Sequence, residues 1–121
     1  MGLDMYLEVL PTTPRYNVVM YWRKFNAIHR WFVQNVQNGV DDCNRYPVTW
    51  KQLNALLKTC KMVLKNYQLS SSLLPPQDGF FIGSTEVDEN YFEDLKTTVK
   101  GIKGLLKDYP EDQTFYYHSS W

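Results

Sequence analysis

The chain has 121 residues, which is enough for one domain with a single core and too few for a second independent core. Hydrophobic residues make up 44% of it and aromatic residues 16%, a globular composition that excludes extended disorder. The 13 basic side chains balance the 13 acidic ones, so the net charge gives no reason to expect long nucleic acid or a membrane surface as a partner.

The first predicted element is a strand. Leu3, Met5, Leu7 and Val9 alternate with other residues, and this period of two is typical of a strand with one buried face. After the prolines at 11 and 14, a helix is predicted over about residues 18–37. Its apolar stripe consists of Tyr21, Phe25, Ile28, Phe32 and Val36, with Trp22 and His29 on the flank. Asn38 and Gly39 are expected to end it.

Two further helices are predicted. Thr49 and Gln52 have the spacing of a capping box, and the helix behind them is expected to end at the serines of 70–72. Its lysines at 51, 58, 61 and 65 fall on the outer face. A third helix is predicted behind Asp88 as N-cap, and the glycines at 101 and 104 within it suggest close packing against a neighbour.

The chain closes with a predicted strand over residues 114–121. Phe115 and Tyr117 should face one side of it, with Tyr116 and His118 on the other. Pairing of the two terminal strands is the simplest way to build a sheet. We therefore expect a single α+β domain over residues 1–121, a three-helix layer packed on a small antiparallel sheet formed by the N- and C-terminal strands.

The two cysteines, Cys43 and Cys60, are too few for a disulfide framework, which favours a reducing compartment. Neither a signal peptide nor an apolar run long enough to cross a membrane is apparent. A cytoplasmic protein that does not engage membranes is expected.

Several short motifs of the sequence resemble those of a family of small proteins of tailed phages and prophages. They are the opening Met-Gly-Leu-Asp-Met-Tyr-Leu at 1–7, Tyr-Trp-Arg-Lys at 21–24, Trp-Phe-Val at 31–33, Gly-Ser-Thr-Glu at 83–86 and the closing Phe-Tyr-Tyr and Ser-Ser-Trp at 115–117 and 119–121. The resemblance covers nearly the whole chain. It implies a source, the cytoplasm of an infected host, and an accessory role such as counteracting a host defence, but no particular activity.

The densest cluster of rings and cations predicts a ligand site. Arginine matches phosphate oxygens and aromatic faces stack on bases, so a nucleotide-type or other small anionic ligand is expected at Trp22, Arg23, Lys24, Asn26 and His29. The alternative interpretation is that these rings fill the core and the cations are solvated.

A second segment is expected to complete that site. Its residues are Phe81, Gly83, Ser84, Thr85, Glu86 and Tyr91, a glycine and hydroxyl loop followed by a helix. The acids at 86, 88 and 89 repel phosphate, so ordinary helix capping remains an equal alternative.

Catalytic and metal chemistry have weaker support. Cys43 and His29 could form a nucleophilic Cys-His pair, but the adjacent acids Asp41 and Asp42 would raise the pKa of the Cys43 thiol. No zinc-ligand spacing is present, and we predict neither a resident metal nor a cofactor.

Three functions follow from these observations. The first is a phage accessory binding protein that sequesters a small nucleotide-type ligand; the second is a protein–protein inhibitor of a host enzyme or receptor; the third is a small hydrolase using His29 and an acid. The oligomeric state stays open, with a homodimer among the possibilities.

Overall fold

A computed structural model describes residues 3–10, 17–76 and 89–121. In chain order these form strands β1 (Asp4–Val9) and β2 (Asn17–Arg23), helix α1 (Asn26–Asn35), strand β3 (Tyr46–Thr49), helices α2 (Trp50–Lys65), α3 (Ser70–Leu73) and α4 (Glu89–Asp108), and strand β4 (Thr114–Ser120). A 3-10 turn, Tyr67–Leu69, precedes α3. The α+β class is confirmed, but four strands and four helices replace the predicted two and three.

The sheet is antiparallel with strand order β2-β1-β4-β3. Its central pair joins the two ends of the chain, as predicted, with Tyr6 opposite His118. Leu3, Met5 and Leu7 are fully buried beneath it, and Phe115 and Tyr117 face the same side. The terminal strands therefore supply the centre of the sheet.

The predicted helix over 18–37 is wrong in its first third. That segment is strand β2, which is rich in the β-branched and aromatic residues that favour a strand and pairs with β1. Lys24 then takes a left-handed backbone conformation, φ 58°, so α1 begins only at Asn26. The helix ends at Asn35 with Val36 as its C-cap, two residues before the predicted end at 37, and Asn38 and Gly39 follow in a turn where both have positive φ.

The capping box of α2 is confirmed. The Thr49 hydroxyl accepts from the Gln52 amide at 3.0 Å, and the Gln52 side chain accepts from the Thr49 amide at 2.9 Å. The predicted end at the serines is wrong, since α2 ends at Lys65 and the serines form α3. Asn66 causes the break by turning its side chain to cap the next turn, where it accepts from the Gln68 amide.

Helix α4 runs unbroken through both of its glycines. A Cβ on Gly101 would lie 2.7 Å from the Met20 Cε atom, so the expected close packing is confirmed there, against β2. Gly104 has no neighbouring atom within 4 Å of such a Cβ, and the expectation fails at this position. The predicted N-cap, Asp88, lies outside the described residues. No helix in the described ranges is long and apolar enough to cross a membrane.

Candidate functional site

A cleft of about 170 Å³ opens where the edge strand β2 passes α4. Its walls come from the end of β2, the turn into α1 and one face of α4. The lining residues are Tyr21, Trp22, Arg23, Phe25, Asp94 and Thr97. Trp22 and Arg23 were predicted from the sequence, so the structure places part of the predicted cluster at a cleft.

Trp22 forms a fixed wall of the cleft. It lies on the inner side of β2 with 6% of its surface exposed. Its indole N–H donates to the Thr98 hydroxyl at 2.8 Å, and that hydroxyl donates to the Asp94 carbonyl at 2.8 Å. Because the indole is held at both its ring face and its N–H, it can present an edge to a ligand but cannot swing out to stack on one.

The charges around the cleft are mixed. Arg23 and Lys24 are exposed at the end of β2, and Asp94 is exposed on α4. Arg23 forms no ion pair with any residue of the described ranges. A cation without a counterion can hold a carboxylate or phosphate, so the outer rim favours anions while the α4 wall does not.

The size of the cleft limits what it can hold. Pockets for drug-sized ligands typically measure roughly 300–1,000 Å³, whereas this cleft measures about 170 Å³. It therefore accommodates one ring or one side chain, and any further part of a ligand must lie on the surface outside.

The outer edge of β2 is open within the described residues. β2 pairs with β1 alone, and the Lys24 amide donates to the Leu3 carbonyl at 2.7 Å. In an antiparallel pair, hydrogen-bonded positions alternate with non-bonded ones. Counting back from Lys24, the amides and carbonyls of Tyr21 and Arg23 must point away from β1. They face the open edge, directly beside the cleft.

The remaining predicted residues lie elsewhere. Asn26 and His29 are buried in α1, and Tyr91 is buried with its hydroxyl donating to the Leu74 carbonyl at 2.6 Å. The structure does not bring these three side chains to the cleft. Phe81, Gly83, Ser84, Thr85 and Glu86 lie outside the described residues.

His29 is held in a buried network instead of a pocket. Its Nδ1 atom lies 2.6 Å from the Tyr117 hydroxyl, and its Nε2 atom lies 2.9 Å from an Asp41 carboxylate oxygen. Only 1% of the His29 surface is exposed. With both ring nitrogens engaged, the imidazole is not free to take a proton from a substrate.

The protonation states in this network follow from burial. Burial lowers the pKa of His29 below its ordinary value, although the hydrogen bond to Asp41 opposes this. Burial also raises the pKa of Tyr117 well above its ordinary value. Both groups are therefore neutral near pH 7, and the consistent assignment has His29 donating through Nε2 to Asp41 and Tyr117 donating to Nδ1.

A second polar cluster lies on the outer face of the sheet. Glu8 is only 5% exposed there and accepts from Arg45 at 2.8 Å, and its Oε1 atom lies 3.2 Å from the His118 Nε2 atom. The Tyr6 ring stacks on His118 with 4.7 Å between centroids. The cluster satisfies a buried carboxylate on the central strand.

The described residues contain no group of three or more His, Cys, Asp or Glu side chains that could hold a metal ion. Burial raises the pKa of the Cys60 thiol to about 12, so this cysteine is an unreactive core residue. Cys43 is exposed, with its thiol free. Neither cysteine forms a Cys-His pair with His29, whose nitrogens are already engaged.

Sequence reasoning missed Asp94 and Thr97 as cleft residues and the open edge of β2. Nothing in the third helix marks those two side chains, since exposed polar residues are ordinary on a helix. The strand could have been suspected from the β-branched and aromatic residues at 18, 19, 21 and 22, but nothing in them marks it as an edge. Compared with protein-family models, curated proteins and solved structures, the chain finds no match.

Proposed function

We propose that this chain is a non-catalytic binding protein that recognises a partner protein through the open edge of β2. The observation that carries the proposal is the pair of outward backbone positions at Tyr21 and Arg23, next to a cleft that fits one side chain. A row of free amides and carbonyls is a template for another strand. In the phage setting that the resemblance implies, the partner is a host enzyme or receptor.

The two edges of the sheet differ in a way that supports this choice. β3 has four residues and contains Pro47, which lacks an amide donor. β2 has seven residues, no proline, and half-exposed apolar side chains at Val18 (53%) and Tyr21 (49%). Proteins usually protect long edge strands with charge, proline or a cover, and in the described part of the chain β2 has only one bulge and Arg23.

A pair of variants at one position tests the proposal. Tyr21→Pro removes an amide that points outward and leaves the bonds to β1 intact, whereas Tyr21→Ala removes the same ring and keeps the amide. Tagged wild type and both variants are used to capture proteins from infected host cells. We expect one stoichiometric partner with wild type and Tyr21→Ala, and at least tenfold less of it with Tyr21→Pro.

Equal recovery by Tyr21→Pro and Tyr21→Ala would place the contact surface elsewhere. The exposed lysines of α2 at 58, 61 and 65 are then the next surface to neutralise, because such a basic face can steer association. Recovery of no partner by any of the three proteins would overturn the proposal.

A second candidate function is sequestration of a small nucleotide-type ligand. It is favoured by the presence of Trp22 and Arg23 in one cleft, with Lys24 exposed beside them. One ring would enter the cleft, and the phosphates would lie outside on the two cations.

Titration against cyclic and ADP-ribose-type nucleotides tests this candidate. We expect binding tighter than about 0.1 mM, close to −5.5 kcal/mol, lost on Arg23→Ala and kept on Lys61→Ala. No binding at that concentration, or equal binding by both variants, would remove it.

A further inference from the structure

We infer that the segment bound by β2 is an extended strand that places an acidic side chain beside Arg23 and a neutral apolar side chain in the cleft. This rests on the proposed function, since it specifies the chemistry of the partner at the same edge.

The positions of the outward backbone groups on β2 determine which residues of the partner strand can bond to it. The outward backbone groups belong to Tyr21 and Arg23, which are two residues apart. An added antiparallel strand must therefore present its own inward amides and carbonyls at alternate residues, the ones directly opposite Tyr21 and Arg23. The partner residue between them has its amide turned away from β2.

Side-chain faces follow from the same alternation. Residues directly opposite each other in neighbouring strands lie on the same face of a sheet. Partner residues opposite Tyr21 and Arg23 therefore lie on the outer face, and the one opposite Trp22 lies on the inner face. The inner face is where Trp22 and Phe25 line the cleft, so this middle side chain enters it.

Charge selects the two kinds of side chain. On the outer face Arg23 is exposed and forms no ion pair within the described ranges. Asp4 lies opposite it on β1, but the side chain that contacts the Asp4 carboxylate is Tyr21, through its hydroxyl, and no ion pair joins Asp4 to Arg23. An acidic partner residue there gains a counterion. In the cleft, the buried rings of Trp22 and Phe25 disfavour a charged group, so the middle side chain is neutral and apolar.

A second copy of this chain brings like charges together when it pairs about either Trp22 or Arg23. If two β2 strands pair antiparallel about Trp22, the two Arg23 side chains become diagonal neighbours on one face, about 7–8 Å apart. If they pair about Arg23, the two guanidinium groups lie directly opposite. An acidic strand removes this repulsion.

The probe is a seven-residue peptide with blocked ends and the central triplet glutamate-leucine-glutamate flanked by threonines. It is titrated into the full-length ¹⁵N-labelled chain while the backbone amide resonances are followed. We expect the Tyr21 and Arg23 amides to shift and to exchange more slowly with solvent. Replacing both glutamates by lysines should weaken binding at least tenfold, and replacing leucine by alanine should also weaken it.

Backbone methylation of the peptide tests the strand geometry without altering the protein. Methyl groups on both glutamate amides, which face β2, should abolish binding, whereas one on the leucine amide should leave the affinity within about threefold. Arg23→Glu should reverse the preference toward the lysine peptide. Lys61→Glu, which makes the same change of charge on exposed α2, should not.

The inference is overturned if methylation of the leucine amide weakens binding as much as methylation of the glutamate amides. It is also overturned if the glutamate and lysine peptides bind equally well. A dimer in which the Tyr21 and Arg23 amides are already protected without peptide overturns it too, because a second copy then occupies the edge. If no peptide shifts these amides at 1 mM while capture still distinguishes Tyr21→Pro from Tyr21→Ala, the proposed function stands and this inference falls.

Discussion

Removing the Tyr117 hydroxyl should destabilise the fold through His29. Tyr117→Phe keeps the ring, which stacks on Phe32 at 3.9 Å between centroids, and removes only the donor 2.6 Å from His29 Nδ1. The buried nitrogen then loses this hydrogen bond, which costs about 1–3 kcal/mol. A domain of this size has a free energy of unfolding of roughly 6–18 kcal/mol, so the loss is readily measured.

Urea denaturation at pH 8 is the assay, because His29 is neutral there. Tyr67→Phe is the matched control, since Tyr67 is half exposed and its ring stacks on Phe92 without relying on its hydroxyl. We expect the control to change the free energy of unfolding by less than about 0.5 kcal/mol. If Tyr117→Phe cannot be distinguished from this control, the buried network does not stabilise the protein as described.

Three other perturbations have expected outcomes. Because the folded-state pKa of His29 lies below its ordinary value of 6.5, the unfolded chain binds the proton more readily. The stability that neutral His29 contributes is therefore complete above pH 6.5 and falls as the pH drops below 6.5. Urea melts from pH 8 to pH 5 should show this fall in the free energy of unfolding, and the fall should be smaller in His29→Gln. Gly104→Ala should raise the free energy of unfolding by about 0.5–1 kcal/mol, since the added methyl meets open space. Gly101→Ala should raise it less, because the added methyl displaces the Met20 thioether. Equal increases for the two variants would contradict the packing described. Trp22→Ala should cost about 3–5 kcal/mol in a denaturant melt, as expected for a core ring, and a cost below 1 kcal/mol would contradict its burial.

Features set by neighbouring residues were readable from the sequence. The capping box at Thr49 needs only side chains three positions apart, and the turn at Asn38 and Gly39, just beyond the end of α1, needs only residues that tolerate positive φ. The alternation in β1 and β4 predicted their buried faces for the same reason. Each of these depends on local geometry, which the order of residues specifies directly.

Strand β2 shows where the local pattern fails. Tyr21, Phe25 and Ile28 recur at helical spacing. Tyr21 nevertheless lies in a strand, Phe25 precedes helix α1, and only Ile28 lies within it. Over so short a run, apolar spacing fits either structure. Pairing with β1 decided the outcome, because a strand beside β1 satisfies the outward backbone groups of β1, which would stay open if this segment formed a helix.

The residue types of the sequence were enough to single out Trp22 and Arg23, which do line the cleft, and also His29, whose side chain is buried in the core. The tertiary structure alone decided which of them are accessible. His29 contacts Asp41 and Tyr117, 12 and 88 positions away. Within the described residues the outer edge of β2 is open because β2 comes last in the strand order and has β1 as its one neighbour. Contacts between distant residues and the position of a strand in a sheet depend on how the whole chain packs, and no local pattern records them.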